Sequence, residues 1–170
     1  MKKTNKIIVL YLLTALFLVG CGTKQAPVIG EVTMSIRCDT AIEKGLAGEE
    51  KWKDILPEDG CILPMTEIEL REGDTVFDLL MEARDQYDIQ VEYSGGKKSR
   101  YIEGIGNLYE RDGGRWSGWM YAVNGEYPGI GCSEYTLQDG DEVTWAYTCD
   151  LGADLGNEME GAQEWMETHE

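Results

Sequence analysis

GWMYAVNGEYPGIGCSEYTLQDGDEVTWAY, residues 118–147, holds two short alternating runs separated by a segment of turn formers. In the first run Trp119, Tyr121 and Val123 point one way, Met120 and Ala122 the other. In the second, Val143, Trp145 and Tyr147 share one face. A period of two marks half-buried strands, and facing aromatic pairs stabilise such a ladder. Between the runs, GEYPGIG (125–131) must be a loop, because its glycines and Pro128 cannot sustain strand pairing. Asp139-Gly140-Asp141 reads as a tight turn into the second strand. Trp119, Tyr121 and Trp145 are therefore expected in a core. Trp116, Tyr127 and Tyr135 lie in or beside Gly-rich segments, where binding residues tend to gather on a rigid scaffold. Large aromatic rings with a polar tip serve both ligand binding and loop anchoring, and for these three the alternatives stand level.

Working outward, Glu31 to Cys38 alternates Val32, Met34, Ile36 and Cys38 against polar neighbours, a first half-buried strand. Residues 39–64 allow short helical turns at Ile42, Leu46 and Trp52, closed by the turn PEDG (57–60). Thr66 to Arg71 reads as a strand. Thr75, with Asp78 three residues on, resembles an N-cap with an acidic third position. Behind it Val76, Leu80, Ala83 and Tyr87 form the buried stripe of a helix over 75–87. Ile89 to Tyr93 and Tyr101 to Leu108 complete the strands. This order predicts an α+β fold with a small β-grasp-like layout. One main helix covers a mixed or antiparallel sheet of five or six strands.

The ends bear on location. Lys2, Lys3 and Lys6 precede an apolar run, Ile7 to Val19, which suits a signal-peptide core better than a membrane span of about 20 residues. Leu18-Val19-Gly20-Cys21 resembles the bacterial lipoprotein box, which implies cleavage after Gly20 and a lipid on Cys21. The expected organisation is a signal peptide (1–20), a lipid-anchored tether (21–31), a domain (32–150) and an acidic tail (151–170). The tail reads as mobile or as a loosely held helix around Glu158–Thr168. The protein is then extracytoplasmic and held at the membrane by Cys21. Losing residues 1–20 removes three lysines and no acid, taking the net charge from −17 to −20. Such acidity argues against nucleic acid as partner. Cys38, Cys61, Cys132 and Cys149 allow three disulfide pairings, of which the sequence-neighbour set Cys38–Cys61 with Cys132–Cys149 is favoured. His169 is the sole histidine and no CxxC occurs, so neither a metal site nor an activated nucleophile is expected. Asp139 and Asp141 are turn formers, and the chain is not expected to be an enzyme.

Two blocks carry a family resemblance: REGDTVFDLLMEA (71–83), and YIEGIGNLYE (101–110) followed by residues 118–147. In order, they resemble the small C-terminal domain of the transcobalamin and intrinsic-factor proteins, as it occurs in bacterial exported proteins. The resemblance implies a β-grasp-like domain covering one face of a corrinoid. The ligand-facing candidates are Trp119, Tyr121, Tyr127, Ile130 and Tyr135, with Trp116 just upstream. Two departures stand out. The chain has no room for the large helical domain that completes the vitamin site. Bacterial relatives also often carry a Cys near position 113, where this chain has Gly113, so the pairing stays open, with Cys61 as another partner. The expected function is a non-catalytic cell-surface module that captures a corrinoid such as cobalamin and passes it to a membrane transporter, with no covalently held cofactor. The alternatives are a protein-interaction module docking to a surface protein and a structural module without a small-molecule ligand.

Overall fold

Val32, Met34, Ile36 and Cys38 are all buried, as their alternation predicts. The computed structural model describes residues 26–157, 166 and 168. The expected signal segment, Cys21 and most of the acidic C-terminus lie outside them. In chain order come β1 (Val28–Arg37), a short helix α1 (Asp39–Glu43), a 3-10 turn (Leu46–Gly48) and β2 (Cys61–Arg71). The main helix α2 (Val76–Tyr87) follows, then β3 (Val91–Ser94), β4 (Tyr101–Ile105), β5 (Leu108–Tyr109), β6 (Gly118–Val123), β7 (Glu142–Thr148) and a 3-10 turn (Ala153–Leu155). The fold is α+β with one main helix, and its strands divide between two sheets. The larger has the order β2-β1-β7-β6 and the smaller β3-β4-β5.

β1 and β7 run parallel at the centre of the larger sheet, with Met34 opposite Val143 and Ile36 opposite Trp145. Their inner residues are buried from both directions, and on the other face Ser35 and Thr144 join hydroxyl to hydroxyl at 3.3 Å. β6 pairs antiparallel with β7, setting Trp119 against Tyr147, Tyr121 against Trp145 and Val123 against Val143. The stretch expected as one strand over Tyr101–Leu108 is instead a hairpin. Gly106 and Asn107 both take positive φ, 60° and 62°, which a two-residue primed turn requires and which Gly and Asn adopt most readily.

Thr75 caps α2 as expected. Its hydroxyl accepts from the Asp78 N–H, and the Asp78 carboxylate accepts from the Thr75 N–H. Val76, Leu79, Leu80 and Ala83 are its buried face. Tyr87 departs from the expected stripe and is 38% exposed. The helix ends at Asp88, which takes φ 54°, and Leu79, outside the expected stripe, is buried.

The two expected disulfides are not formed: Cys38, Cys61, Cys132 and Cys149 are free thiols. Cys132 follows β6, with its Sγ 3.7 Å from the Arg100 carbonyl. Cys149 follows β7 and its Sγ lies 3.8 Å from Thr40 Oγ1. The fold gives the two thiols different neighbours although they are close in sequence. Cys61 starts β2 and lies directly across from Arg37, the last residue of β1, whereas Cys38 follows that strand as the N-cap of α1, with its side chain buried. The start of the expected mobile tail is ordered through residue 157. The Leu151 N–H donates to the Trp116 carbonyl, and the Asp154 carboxylate receives the Thr148 hydroxyl and the Cys149 N–H. Met166 is helical and buried, and Thr168 is helical and exposed. No helix among the described residues is long and apolar enough to cross a membrane.

Candidate functional site

A cleft of about 290 Å³ opens where the start of β6 and the loop before it meet the start of β4. Trp116 and Trp119 reach it, joined by Tyr101, Arg115, Met120 and Leu151. The loop that carries Trp116 is held from beneath. Tyr147 is fully buried, and its hydroxyl accepts the Gly113 N–H at 2.9 Å while lying 2.8 Å from both the Tyr109 carbonyl and Ser117 Oγ. Ser117 Oγ also receives the Gly113 N–H and donates to the Gly114 carbonyl. The Arg111 N–H closes the loop on the Ser117 carbonyl, and Asp112 accepts the Tyr109 N–H. A loop this heavily cross-linked presents its tip in one geometry, which lowers the cost of ordering it around a ligand.

At that tip the Arg115 guanidinium lies 4.7 Å from the Trp116 ring centroid, a cation stacked on an electron-rich face. Tyr101, 49% exposed, forms the opposite wall and donates to Glu110 Oε2 at 2.6 Å. Burial, then this hydrogen bond, pushes its phenol up to about 12. The Leu151–Trp116 main-chain bond closes one end of the cleft. β6 is an edge strand, and because its even-numbered residues face β7 through the Asn124 N–H to Glu142 carbonyl bond, the main-chain groups of Trp119 and Tyr121 point to the free edge.

The six expected ligand-facing residues do not form one surface. Trp119 is buried, its ring 5.3 Å from Tyr147 and its Nε1 donating to the Leu108 carbonyl. Tyr121 turns inward, 5.5 Å from Trp145 and 6.3 Å from Tyr135, and its hydroxyl donates to the Ile130 carbonyl. Burial pushes its phenol to about 12. Tyr135 ties the loop to α2, its carbonyl accepting the Val76 N–H. Tyr127 is half-buried, its phenol raised by burial and then by Asp154. The Ile130 side chain is exposed. Of the six, Trp116 and Trp119 line the cleft, Trp116 half-buried beside Arg115 and facing the same space as Tyr101. Of the residues the aromatic pattern missed, Tyr101 carried a signal: alternation through Tyr101-Ile102-Glu103 sets it on the face opposite the buried Ile102. Arg115, Met120 and Leu151 carried none. Among the described residues no His, Cys, Asp and Glu groups come together as metal ligands.

Residues 73–149 match the family model described as Domain of unknown function (DUF4430). Among solved structures, the chain is similar to haptocorrin in complex with Cbi, at TM-score 0.52 and 15% identity. That match covers 70% of this chain and 25% of haptocorrin, so the chain spans about a quarter of that protein's length. The likeness is one of fold. A more distant match, at TM-score 0.43 and 12% identity, is to a protein from Ruminococcus gnavus ATCC 29149 named for a suspected metal-binding role; it covers 71% of this chain and 97% of the other. No curated protein matches.

Proposed function

We propose that this protein is a non-catalytic ligand-binding module. Its cleft takes the face of a flat, largely apolar ligand carrying hydrogen-bonding side groups, with a corrinoid as the first candidate. The observation that supports this most is the stacked Arg115–Trp116 pair, held by a rigid loop opposite Tyr101. Ring faces contribute contact area, the Arg115 and Arg111 guanidiniums offer donors to amide or phosphate groups, and the free edge of β6 offers main-chain donors and acceptors. The fold likeness to haptocorrin, whose structure holds Cbi, favours a corrinoid over other flat ligands. Catalysis finds little support in the cleft, because Tyr101 and Glu110 are engaged with each other and the raised phenol is a poor base at neutral pH. A volume of about 290 Å³ lies at the lower end of ligand sites, so burial is partial and affinity modest. Lipid on Cys21 would hold this module at the cell surface, where captured ligand passes to a membrane transporter.

Calorimetric titration with cobinamide and cobalamin tests the reading. Saturable one-to-one heats, weakened about tenfold or more by Trp116→Ala, are expected for loss of a central aromatic contact. Flat heats into the high-micromolar range, or binding indifferent to Trp116, would overturn it in favour of a protein partner.

A further inference from the structure

A second cleft, of about 610 Å³, lies on another part of the molecule, between the turn entering α2 and the loop joining β3 to β4. One wall carries the carboxylates of Glu72, Asp74 and Asp78. The other carries the cations of Lys97, Lys98 and Arg100. In a chain of net charge −17 this is a local balance of three against three. No ion pair joins the two walls among the described residues; the four that exist lie elsewhere. Opposite charges that could have neutralised one another are thus held apart across open space.

Both walls are held in place. Gly95 takes φ 84°, and a Cβ there would lie 2.0 Å from the Ser99 carbonyl oxygen, so only glycine fits the turn. The Ser99 N–H returns to the Gly96 carbonyl and Arg100 Nη1 donates to the Gly95 carbonyl at 2.7 Å. The Arg100 guanidinium also lies 4.9 Å from the Tyr93 centroid and 5.5 Å from that of Phe77, which packs edge-on against Tyr93. Opposite, Asp74 accepts the Arg71 N–H, and Asp78 is engaged in the helix cap. The helix amides are therefore already satisfied, and the charged walls, rather than the helix terminus, are what the cleft offers. Lys97 and Lys98 are exposed, with their ammonium groups outside that hydrogen-bond network.

We propose that this cleft is a binding site for a short zwitterionic peptide, its ammonium end on the carboxylate wall and its carboxylate end on the lysine wall. A ligand of a single sign gains at one wall what it loses at the other; a ligand with separated opposite charges gains at both. The volume falls within the range of small-ligand sites, and three extended residues separate the two charged ends by about 10 Å. Ser133 Oγ and the Phe77 ring supply a polar and an apolar contact between them.

Triglycine is the probe, since it carries both termini and no side chains. Its titration into the protein is followed by amide chemical shifts in the 95–100 loop and the 72–78 turn. Saturable shifts at millimolar concentration are expected, with N-acetyl-triglycine and triglycinamide each binding at least about fivefold more weakly, as befits partly exposed charge contacts. K97Q/K98Q, at two exposed positions that the fold does not need, should weaken triglycine by a similar factor, whereas cationic triglycinamide, relieved of repulsion from the two ammonium groups, should bind no more weakly than before. Trp116→Ala should change none of this, which separates the site from the aromatic cleft. Absence of saturable shifts, equal binding of the blocked peptides, or an unchanged affinity in K97Q/K98Q would overturn the proposal.

Discussion

Replacing Gly113 by Cys should create a disulfide to Cys149. A Cβ built on Gly113 lies 2.8 Å from Cys149 Sγ, and in a disulfide each Cβ sits roughly 3 Å from the partner sulfur, given an S–S bond of about 2.05 Å. The φ of Gly113 is not in the left-handed region, so a side chain is tolerated by the backbone. The bridge would close a loop of 37 residues, 113 through 149, worth about 4 kcal/mol by the chain-entropy estimate. Against this, the new Cβ would lie 3.0 Å from Tyr147 Cε1 and 3.2 Å from Ser117 Cβ, crowding that costs about 1–3 kcal/mol. The expected net gain is about 1–3 kcal/mol under oxidising conditions. Gly113→Ala suffers the crowding without the bridge and should lose about 1–3 kcal/mol. Peptide mapping after alkylation should find residues 113 and 149 linked, and urea unfolding with and without reductant should show the gain vanish on reduction. Free thiols at both positions after oxidation, or linkage of residue 113 to Cys38, Cys61 or Cys132, would refute the geometry on which the argument rests.

Three further outcomes follow from the same structure. Tyr147→Phe removes the hydroxyl that joins Gly113, Ser117 and Tyr109, so urea unfolding should register a loss of about 1–3 kcal/mol, and hydrogen exchange across 109–117 should quicken. Burial pushes the Tyr147 phenol from 10 up to about 12; the neutral form is the one the fold prefers, so its contribution is intact below pH 10 and is lost as pH rises towards about 12. The midpoint of chemical unfolding should fall across that window, and less steeply in Tyr147→Phe than in the parent. Thr75→Ala opens one half of the capping box of α2 and should cost about 1 kcal/mol by urea unfolding, without altering the titration of the aromatic cleft.

Local signals were enough for the elements that carry them. The alternation of Trp119, Tyr121 and Val123 against Val143, Trp145 and Tyr147 is a property of neighbours along the chain, and the two strands pair in that register. Thr75 and Asp78 are three residues apart, so their reciprocal cap was equally visible. The stripe of α2 was read correctly at Val76, Leu80 and Ala83 and failed at Leu79 and Tyr87, because which part of a helix is covered depends on where the rest of the chain packs. Cys38, Cys61, Cys132 and Cys149 looked like two bridges because spacing alone says nothing of which thiols share a neighbour.

The sequence by itself determined the fold class, the main helix and the aromatic ladder of β6 and β7, since periodicity, capping and turn chemistry act within a few residues. Only the tertiary structure decided which aromatics are available to a ligand. Tyr121 and Trp119 turn into the core, whereas Trp116 meets Tyr101 and Leu151, residues 15 and 35 positions away in the chain. Lys97 and Lys98 came to face Glu72 and Asp74 in the same way, through the packing of the β3–β4 hairpin beside α2. Such meetings follow from strand order and sheet twist, which distribute contacts over the whole chain and leave no mark in any one stretch of it.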